Sequence, residues 1–177
     1  MSKFRFDEIL RKRMVRWISA THNEHELTAA CAQANDVIGK LRSKVPPCVL
    51  AAVLKAWLNG WCTARRFPES GHCALSTACA GEDSLEHYAV CSFGWRCMPT
   101  RAGLAHHPQT IKRFLLLELS GDDNLVMLAC NVFAVMGVVN LMHAQRRRAS
   151  SSELQGLLWE RWRKAADHSA HVRRLLR

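Results

Sequence analysis

Helical periodicity is the clearest pattern in the first forty residues of the chain. Apolar residues recur every three or four positions in residues 6–17, with basic residues between them, and this spacing predicts an amphipathic helix. Asn23 followed by Glu26 is a capping-box pattern, and the alanine-rich, proline-free stretch that continues to Leu41 predicts a second helix. The chain therefore starts with two predicted helices.

A broad apolar stripe follows Pro46 and Pro47, which end the second helix. It extends from Val49 to Trp61, and it predicts a third helix whose tryptophans pack in a core. Residues 67–82 then interrupt the pattern with proline and glycine and show no strand-like alternation. This segment is expected to be a loop that needs an external clamp.

Helical patterns return after this loop. Residues 83–86 predict an N-cap and a short helix. Pro108 predicts the start of a helix that continues through Leu119, and the capping box at residues 150–153 predicts the start of the last helix. We expect about six or seven helices in total.

The segment 125–142 contains eighteen residues without a charge and is followed by three arginines. This length reaches the lower limit for a membrane span with a positive flank. The neighbouring amphipathic helices, however, need a common core, and this segment can provide it. We therefore interpret it as the buried central helix of a bundle, with a single membrane span as the alternative.

Asp122 and Asp123 precede this apolar segment and invite comparison with the aspartate pair that binds magnesium in polymerases. They open a segment of helical length, however, where aspartates cap the helix and oppose its dipole. The chain also shows no nucleophile elbow, phosphate loop or nuclease-like cluster of carboxylates and lysine. It is therefore predicted not to be an enzyme on its own, and no small-molecule substrate is expected.

The charge of the chain favours a polyanionic partner. Its 177 residues, 49% hydrophobic and 23% charged, suffice for one ordinary core or two small ones, and the formal net charge is +10. RNA or DNA is the first candidate partner and an acidic membrane surface the second. The candidate phosphate contacts are Arg65, Arg66, Arg146, Arg147, Arg148, Arg161, Arg163 and Lys164. A solvated surface that keeps the chain soluble is the alternative explanation for these charges.

The N-terminus has no apolar run of signal-peptide length, so an intracellular location, nuclear or cytoplasmic, is predicted. The eight cysteines are then expected to be reduced. Clustered cysteine with histidine indicates metal binding in that setting, whereas scattered cysteines are small core residues. Cys31, Cys48 and Cys130 belong to the scattered class.

Four clustered residues have the spacing of a zinc site. Cys73 and Cys79 lie in the loop, and His87 and Cys91 lie four residues apart, which places two side chains on one helix face. Zinc prefers such thiolate and imidazole ligands, and all four positions are filled, so the site is expected to be structural. The alternatives are reduced cysteines near a surface histidine, or another ligand set that uses His72, Cys62 or Cys97.

Residues 58–67, the paired ligands and residues 82–91 together resemble the zinc-binding region that follows the reverse transcriptase domain of non-LTR retrotransposon proteins. The match covers about residues 48–95, and its strongest part is Glu-Asp-Ser-Leu-Glu-His-Tyr at residues 82–88. The gap between Cys73 and Cys79 is wider than is usual in that family. The resemblance implies that the four residues bind zinc and that the module helps a parent protein to bind template RNA or target DNA.

The sequence thus predicts an all-α fold, a helical bundle with a zinc-clamped loop-helix knuckle. Its segments are N-terminal helices (1–45), a zinc-knuckle region with its preceding helix (46–100), and a C-terminal bundle with a basic last helix (101–177). The predicted function is a noncatalytic zinc- and nucleic-acid-binding module, intact or a degenerate remnant of a retroelement. The alternatives are a zinc-stabilised helical protein-interaction domain without a nucleic-acid role and a single-span membrane-associated protein.

Overall fold

In a computed structural model of the chain, every regular element of the described residues is a helix. The structure describes residues 3–18, 24–61, 63, 71–96, 110–118 and 122–176. In chain order the helices are α1 (Lys3–Ile18), α2 (Glu24–Leu41), α3 (Pro47–Trp57), α4 (Leu85–Val90), α5 (Ser92–Arg96), α6 (Ile111–Phe114), α7 (Asp122–Ala144), α8 (Ser151–Asp167) and α9 (Ala170–Leu175). The predicted all-α fold is confirmed.

Helix α7 lies at the centre of this bundle. It packs mainly against α3 and α8 and also contacts α2 and α9. Its segment from Asn124 to Ala144 is long and apolar enough to cross a membrane, but 83% of its most apolar window is buried inside the bundle. Packing against other helices therefore accounts for its apolar composition, and the predicted central position of residues 125–142 is confirmed.

Buried tryptophans connect the N-terminal helices to the rest of the core. The indole Nε1 of Trp17 on α1 donates to the carbonyl of Trp57 at the end of α3, at 3.4 Å. Trp57 in turn donates from Nε1 to the carbonyl of Leu115 after α6, at 2.7 Å. Both indole rings are buried, and these bonds satisfy their polar atoms. The predicted core role of Trp57 and Trp61 is confirmed, since both are almost fully inaccessible.

Two predicted helices are shorter than their sequence patterns suggest. Helix α3 ends at Trp57, and the chain leaves it through a left-handed residue, Asn59, with φ of 52°. The helix expected to extend from Pro108 through Leu119 is the single turn α6, which Thr110 caps, and Leu116 after it has φ of 61°. A left-handed residue cannot continue an α-helix. Helical spacing of the apolar residues beyond it therefore does not extend the helix. Residues 108, 109 and 119 lie outside the described residues, so this comparison covers residues 110–118.

The structure adds short helices that the sequence pattern did not predict, α5 and α9. Ser169 caps α9 by accepting from the amide of Val172, and its hydroxyl donates to the carbonyl of Lys44 at 2.6 Å. This bond ties the C-terminal helix to the turn after α2. Neither helix is long enough to show a periodic apolar stripe.

The capping box predicted for residues 150–153 is confirmed at the start of α8. The Ser150 hydroxyl accepts from the amide of Glu153 at 3.2 Å, and the Glu153 carboxylate accepts from the amide of Ser150 at 3.4 Å.

We expect Ser150→Ala to lower the free energy of unfolding by about 1 kcal/mol, because an orphan amide of α8 loses its partner. Urea denaturation measures this change, with Ser43→Ala, an exposed serine in the turn after α2, as the control. Equal stabilities of the two variants would contradict the capping role.

Candidate metal centre

The loop that carries the first two cysteines folds back on itself. His72 pairs with Glu82 in an isolated antiparallel bridge, and the amide of Cys73 donates to the carbonyl of Gly81 at 2.7 Å. Inside this narrow hairpin, the amide of Cys79 donates to the carbonyl of Ser76 at 3.1 Å. The five residues between the two cysteines therefore form a tight turn, which lets both thiols face the same point.

Helix α4 brings the other two residues to that point. Ser84 is its N-cap, and the Ser84 hydroxyl accepts from the amide of His87 at 3.2 Å. Cys91 is the C-cap, where the backbone turns away with ψ of 114°. Because one helical turn separates positions 87 and 91, both side chains point towards the loop. The predicted short helix is thus confirmed, with Cys91 at its end.

The ligand atoms of Cys73, Cys79, His87 and Cys91 all lie within 4.8 Å of one another, so these residues can hold a metal ion. The two sulfurs of Cys73 and Cys91 are 3.9 Å apart, and the Cys79 sulfur is 3.3 Å from Nε2 of His87. Cys73 and Cys91 are buried, whereas Cys79 is half-buried. The predicted convergence of the four residues is confirmed.

The structure also tests part of the alternative ligand sets. His72 is exposed and does not belong to the cluster, although it is the residue next to Cys73. Cys62 and Cys97 lie outside the described residues. Among the described residues, the cluster is the one group of cysteine, histidine and carboxylate side chains with the geometry of a metal site.

Hydrogen bonds prepare the buried sulfurs for metal binding. The sulfurs of Cys73 and Cys91 share a hydrogen bond, and this bond, together with the amides of Gly94 and Phe93, lowers the pKa of Cys91 to about 5 against the opposing effect of burial. The pKa of Cys73 is raised, first by the same hydrogen bond and second by burial. A lowered pKa favours the thiolate, which is the form of cysteine that binds metals. The amide of Leu75 bonds to the Cys73 sulfur in the same way.

The His87 ring occupies the space beside Gly81. A Cβ atom added at position 81 would lie 2.0 Å from Cε1 and 2.3 Å from Nδ1 of the ring. No side chain fits there without displacing the imidazole, so a glycine is required at this position. The sequence pattern identified Gly81 as a loop residue and gave no signal of this steric role.

Arg148 holds the outer side of the loop. Its guanidinium donates to the carbonyl of Cys73 at 2.9 Å and also to the carbonyls of Ser76 and Cys79. Five donors in a rigid plane suit such a task, because one side chain can satisfy several carbonyls at once. Arg148 was predicted as a phosphate contact, and the structure places its charged group on the metal loop.

The residues after Arg148 extend this contact. The amide of Thr77 donates to the carbonyl of Ala149 at 2.9 Å, and the amide of Ala149 donates to the carbonyl of Ala74 at 3.2 Å. The hydroxyls of Ser76 and Ser151 are 3.2 Å apart. The connection between α7 and α8 is therefore part of the metal centre, although it lies about seventy residues away in sequence.

A buried polar network attaches the loop to α7. Tyr88 donates its hydroxyl proton to Asp83, whose side chain is fully buried, and Nε2 of His143 on α7 is 3.1 Å from the same carboxylate. The Tyr88 hydroxyl also accepts from the amide of Ala74 at 3.1 Å. Burial first, and the bond to Asp83 second, raise the pKa of Tyr88, so it remains a neutral donor. His143 was not predicted, because a lone histidine in an apolar helix carries no motif.

The remaining predicted phosphate contacts differ in their surroundings. Arg146 is exposed in the turn after α7, with φ of 51°. Arg147 is exposed but is paired with Glu153 at 2.8 Å, and this bond raises the pKa of Arg147 and lowers that of Glu153. Arg146 thus keeps its charge directed at solvent, whereas the charge of Arg147 is partly offset.

On α8, Arg163 and Lys164 are exposed, whereas Arg161 is half-buried. The stem of Arg161 lies over Gly137 of α7, where an added Cβ would be 3.0 Å from its Cδ. The aliphatic stem of Arg161 therefore packs between α7 and α8. Arg65 and Arg66 lie outside the described residues.

The scattered cysteines behave as predicted with one exception. Cys130 is buried in α7, which raises the pKa of its thiol, and Cys31 packs against the core from a half-buried position. Cys48 is exposed, so its predicted core role is wrong. It lies in the first turn of α3, whose buried side is formed by Val49, Ala52 and Val53.

We expect Gly81→Ala to weaken metal binding about 10- to 100-fold, because the added methyl group displaces the His87 ring from its ligand position. Titration with Co²⁺, followed through the absorbance of cobalt–thiolate bonds, measures the affinity. Gly71→Ala is the control, since a Cβ at that exposed position meets nothing within 4 Å. Unchanged Co²⁺ affinity of Gly81→Ala would contradict the steric role of Gly81 beside the His87 ring.

We expect Arg148→Ala to destabilise the chain by about 2 kcal/mol and to speed metal release, because three loop carbonyls lose a charged donor. Arg146→Ala removes the same charge from an exposed position two residues earlier and should leave both quantities unchanged. Urea denaturation and the rate of Co²⁺ transfer to a chelator measure the two effects. Identical behaviour of the two variants would exclude a clamping role for Arg148.

No protein-family model matches the sequence, no curated protein is significantly similar to it, and no solved structure is significantly similar to its fold. The function of the chain therefore has to be inferred from its own residues and their geometry. The resemblance to the retrotransposon zinc-binding region stays a prediction from sequence motifs.

Proposed function

We propose that the chain is a noncatalytic, zinc-stabilised module that binds nucleic acid. The observation that carries this proposal is the bonding of Arg148 to the carbonyls of Cys73, Ser76 and Cys79. Through these bonds, the turn that exposes Arg146 and the loop that carries the metal ligands form one unit. A metal ion that orders the loop then also positions a cationic surface beside it.

The donor set and its distances support zinc as the metal. Zinc–sulfur bonds of about 2.3 Å and zinc–nitrogen bonds of about 2.0 Å in a tetrahedron place two sulfurs about 3.8 Å apart and a sulfur and a nitrogen about 3.5 Å apart. The corresponding distances here are 3.9 Å between Cys73 and Cys91 and 3.3 Å between Cys79 and His87. Four protein ligands fill the tetrahedron, so the zinc has a structural role.

Zinc would add to the packing and hydrogen bonds that already hold the loop. Structural zinc in small peptides contributes an apparent binding free energy of about 10 to 16 kcal/mol. Here the ion connects the hairpin of Cys73 and Cys79 to helix α4, which carries His87 and precedes Cys91. Loss of one ligand is expected to release the ion and loosen the contact between loop and helix.

The charge of the chain supports nucleic acid as the partner. A net charge of +10 favours phosphate through counterion release, and Arg146, Arg163 and Lys164 are exposed. The resemblance to the region after a reverse transcriptase domain adds template RNA and target DNA as the expected ligands. Arg65 and Arg66, which precede the metal loop in sequence, are further candidate contacts on that basis.

The second candidate function is a zinc-stabilised protein-interaction domain without a nucleic-acid role. A metal site with four protein ligands and a large helical core suit such a domain equally well. Salt dependence separates the two, because electrostatic binding to phosphate weakens steeply with ionic strength. No measurable affinity of the zinc-loaded chain for RNA or DNA at 50 mM salt would favour the interaction domain.

We expect the zinc-loaded chain to bind a 20-nucleotide RNA hairpin and to lose on the order of a thousandfold in affinity between 50 and 200 mM salt, for about six phosphate contacts. Arg146→Ala with Arg147→Ala should lower the affinity and reduce the salt slope by roughly one, because Glu153 already offsets part of the Arg147 charge, without changing zinc content or helicity. Fluorescence anisotropy across a salt series measures both quantities. The same measurement applies to Arg65→Ala with Arg66→Ala.

The matched control is Lys12→Ala with Lys40→Ala, which removes the same charge from exposed lysines that pair with Glu8 and Asp36 on α1 and α2. Cys91→Ser is the metal control, and it should release zinc and lower the RNA affinity as a consequence. Equal losses of RNA affinity in the Arg146/Arg147 variant and in the Lys12/Lys40 control would show that net charge alone causes binding. Full RNA affinity in zinc-free Cys91→Ser would separate the metal site from the function.

A further inference from the structure

A groove of about 480 Å³ lies along the outer side of α8, well apart in sequence from the metal ligands. Its volume falls in the range of small-ligand sites, about 300 to 1,000 Å³. Its described lining comes entirely from one helix and combines an aromatic ring, a cation, an acid, an amide and a hydroxyl: Ser152, Gln155, Gly156, Trp159, Glu160 and Arg163.

Gly156 keeps this groove open. It lies in the middle of α8 and is exposed, and a Cβ added to it would meet nothing within 4 Å. No packing contact of the described residues therefore requires a glycine there. A glycine inside a helix costs about 1 kcal/mol relative to alanine. The absence of a side chain at this position leaves a gap on the helix surface beside Trp159.

Trp159 provides a fixed aromatic surface next to that gap. It is half-buried and packs against the core with part of its side chain, while the rest lines the groove. Trp162, by contrast, is almost fully buried and unavailable to a ligand. Because packing already restrains the Trp159 indole, a ligand that stacks on it loses little further side-chain entropy.

The charged residues of the groove indicate which ligand fits. Arg163 lines the groove and is exposed one helical turn after Trp159, whereas Lys164 is exposed on the adjoining face of α8. Glu160 is the one acid among the described lining residues. An aromatic surface followed by a cation suits a stacked base whose phosphate lies one turn further along the helix. The amide of Gln155 and the hydroxyl of Ser152 can bond to base edges.

We propose that this groove binds an unpaired base of single-stranded nucleic acid, with the base stacked on Trp159 and a flanking phosphate at Arg163. A base inside a duplex has both faces covered by its neighbours, so the groove distinguishes single strands from double strands. This inference rests on the proposed nucleic-acid function, but it assigns a site distinct from the cationic turn at Arg146.

The test compares two labelled 12-nucleotide oligomers of equal charge, oligo(dT) and its fully abasic counterpart, on the zinc-loaded full chain. Base stacking is expected to make oligo(dT) bind at least tenfold more tightly than the abasic strand. Trp159→Leu keeps an apolar side chain against the core and should lower oligo(dT) affinity about tenfold, with abasic affinity unchanged.

Gly156→Leu provides an independent variant, because it fills the groove without removing any contact of the core. It should lower oligo(dT) affinity to a similar extent. Its control is Gly39→Leu, since Gly39 is exposed on α2 and also has nothing within 4 Å of an added Cβ. Circular dichroism checks that each variant is folded. If Trp159→Leu does not fold, Gly156→Leu alone tests the groove.

The outcomes separate this inference from the proposed function. Wild-type oligo(dT) affinity in Gly156→Leu, with salt-dependent binding of both strands retained, would exclude the groove and leave the cationic surface in place. Equal affinity of the wild-type chain for the two strands would likewise exclude base stacking. Failure of the zinc-loaded wild-type chain to bind either strand or the RNA hairpin at 50 mM salt would overturn both proposals.

Discussion

Helix α7 has no polar side, and this constraint organises the rest of the fold. An amphipathic helix can leave one face in water, but α7 exposes apolar surface wherever it is not covered. The structure covers it with α3 and α8 along its length and with α2 and α9 in smaller contacts. Gly137 lets α8 approach closely, because the Arg161 stem lies where a side chain would otherwise project. The amphipathic helices thus share one core, and none of them has to form its own.

The metal centre depends on the C-terminal end of the same helix. His143, in the last turn of α7, contacts the buried carboxylate of Asp83, and Arg148 after it bonds to the loop carbonyls. Removing either partner of such a contact leaves a buried polar group unsatisfied, which costs more than the bond itself contributed. Disorder in the metal loop therefore affects the end of α7 and the start of α8, which Ser150 caps. The cluster is part of the bundle and not an appended finger.

The sequence predicted the elements whose evidence is local. The stripe from Val49, the capping box at Ser150 and the spacing of His87 and Cys91 all act within one or two helical turns, so they are visible in the chain itself. The steric demand on Gly81 and the role of His143 arise from contacts between distant segments, and no spacing rule reports them. The error at residues 108–119 has a similar cause. Leu115 and Leu116 are buried although the backbone after α6 is irregular, and the left-handed conformation of Leu116 leaves no mark in the apolar pattern.

The arginine run after α7 shows why the count of basic residues overstates a binding surface. Arg148 donates its hydrogen bonds to carbonyls of the metal loop, and Arg147 is paired with Glu153. Of these three consecutive arginines, Arg146 is therefore the one whose charge is most available to solvent. On α8, the stem of Arg161 packs against Gly137, while Arg163 and Lys164 are exposed. A phosphate can gain from a cation only if that cation does not have to leave a better partner. Among the described residues predicted to contact phosphate, those without such a partner are Arg146 beside the metal loop and Arg163 and Lys164 beside the Trp159 groove. The proposed binding of nucleic acid would therefore use two separate places on the bundle, one next to the cluster of Cys73, Cys79, His87 and Cys91 and one on the outer side of α8.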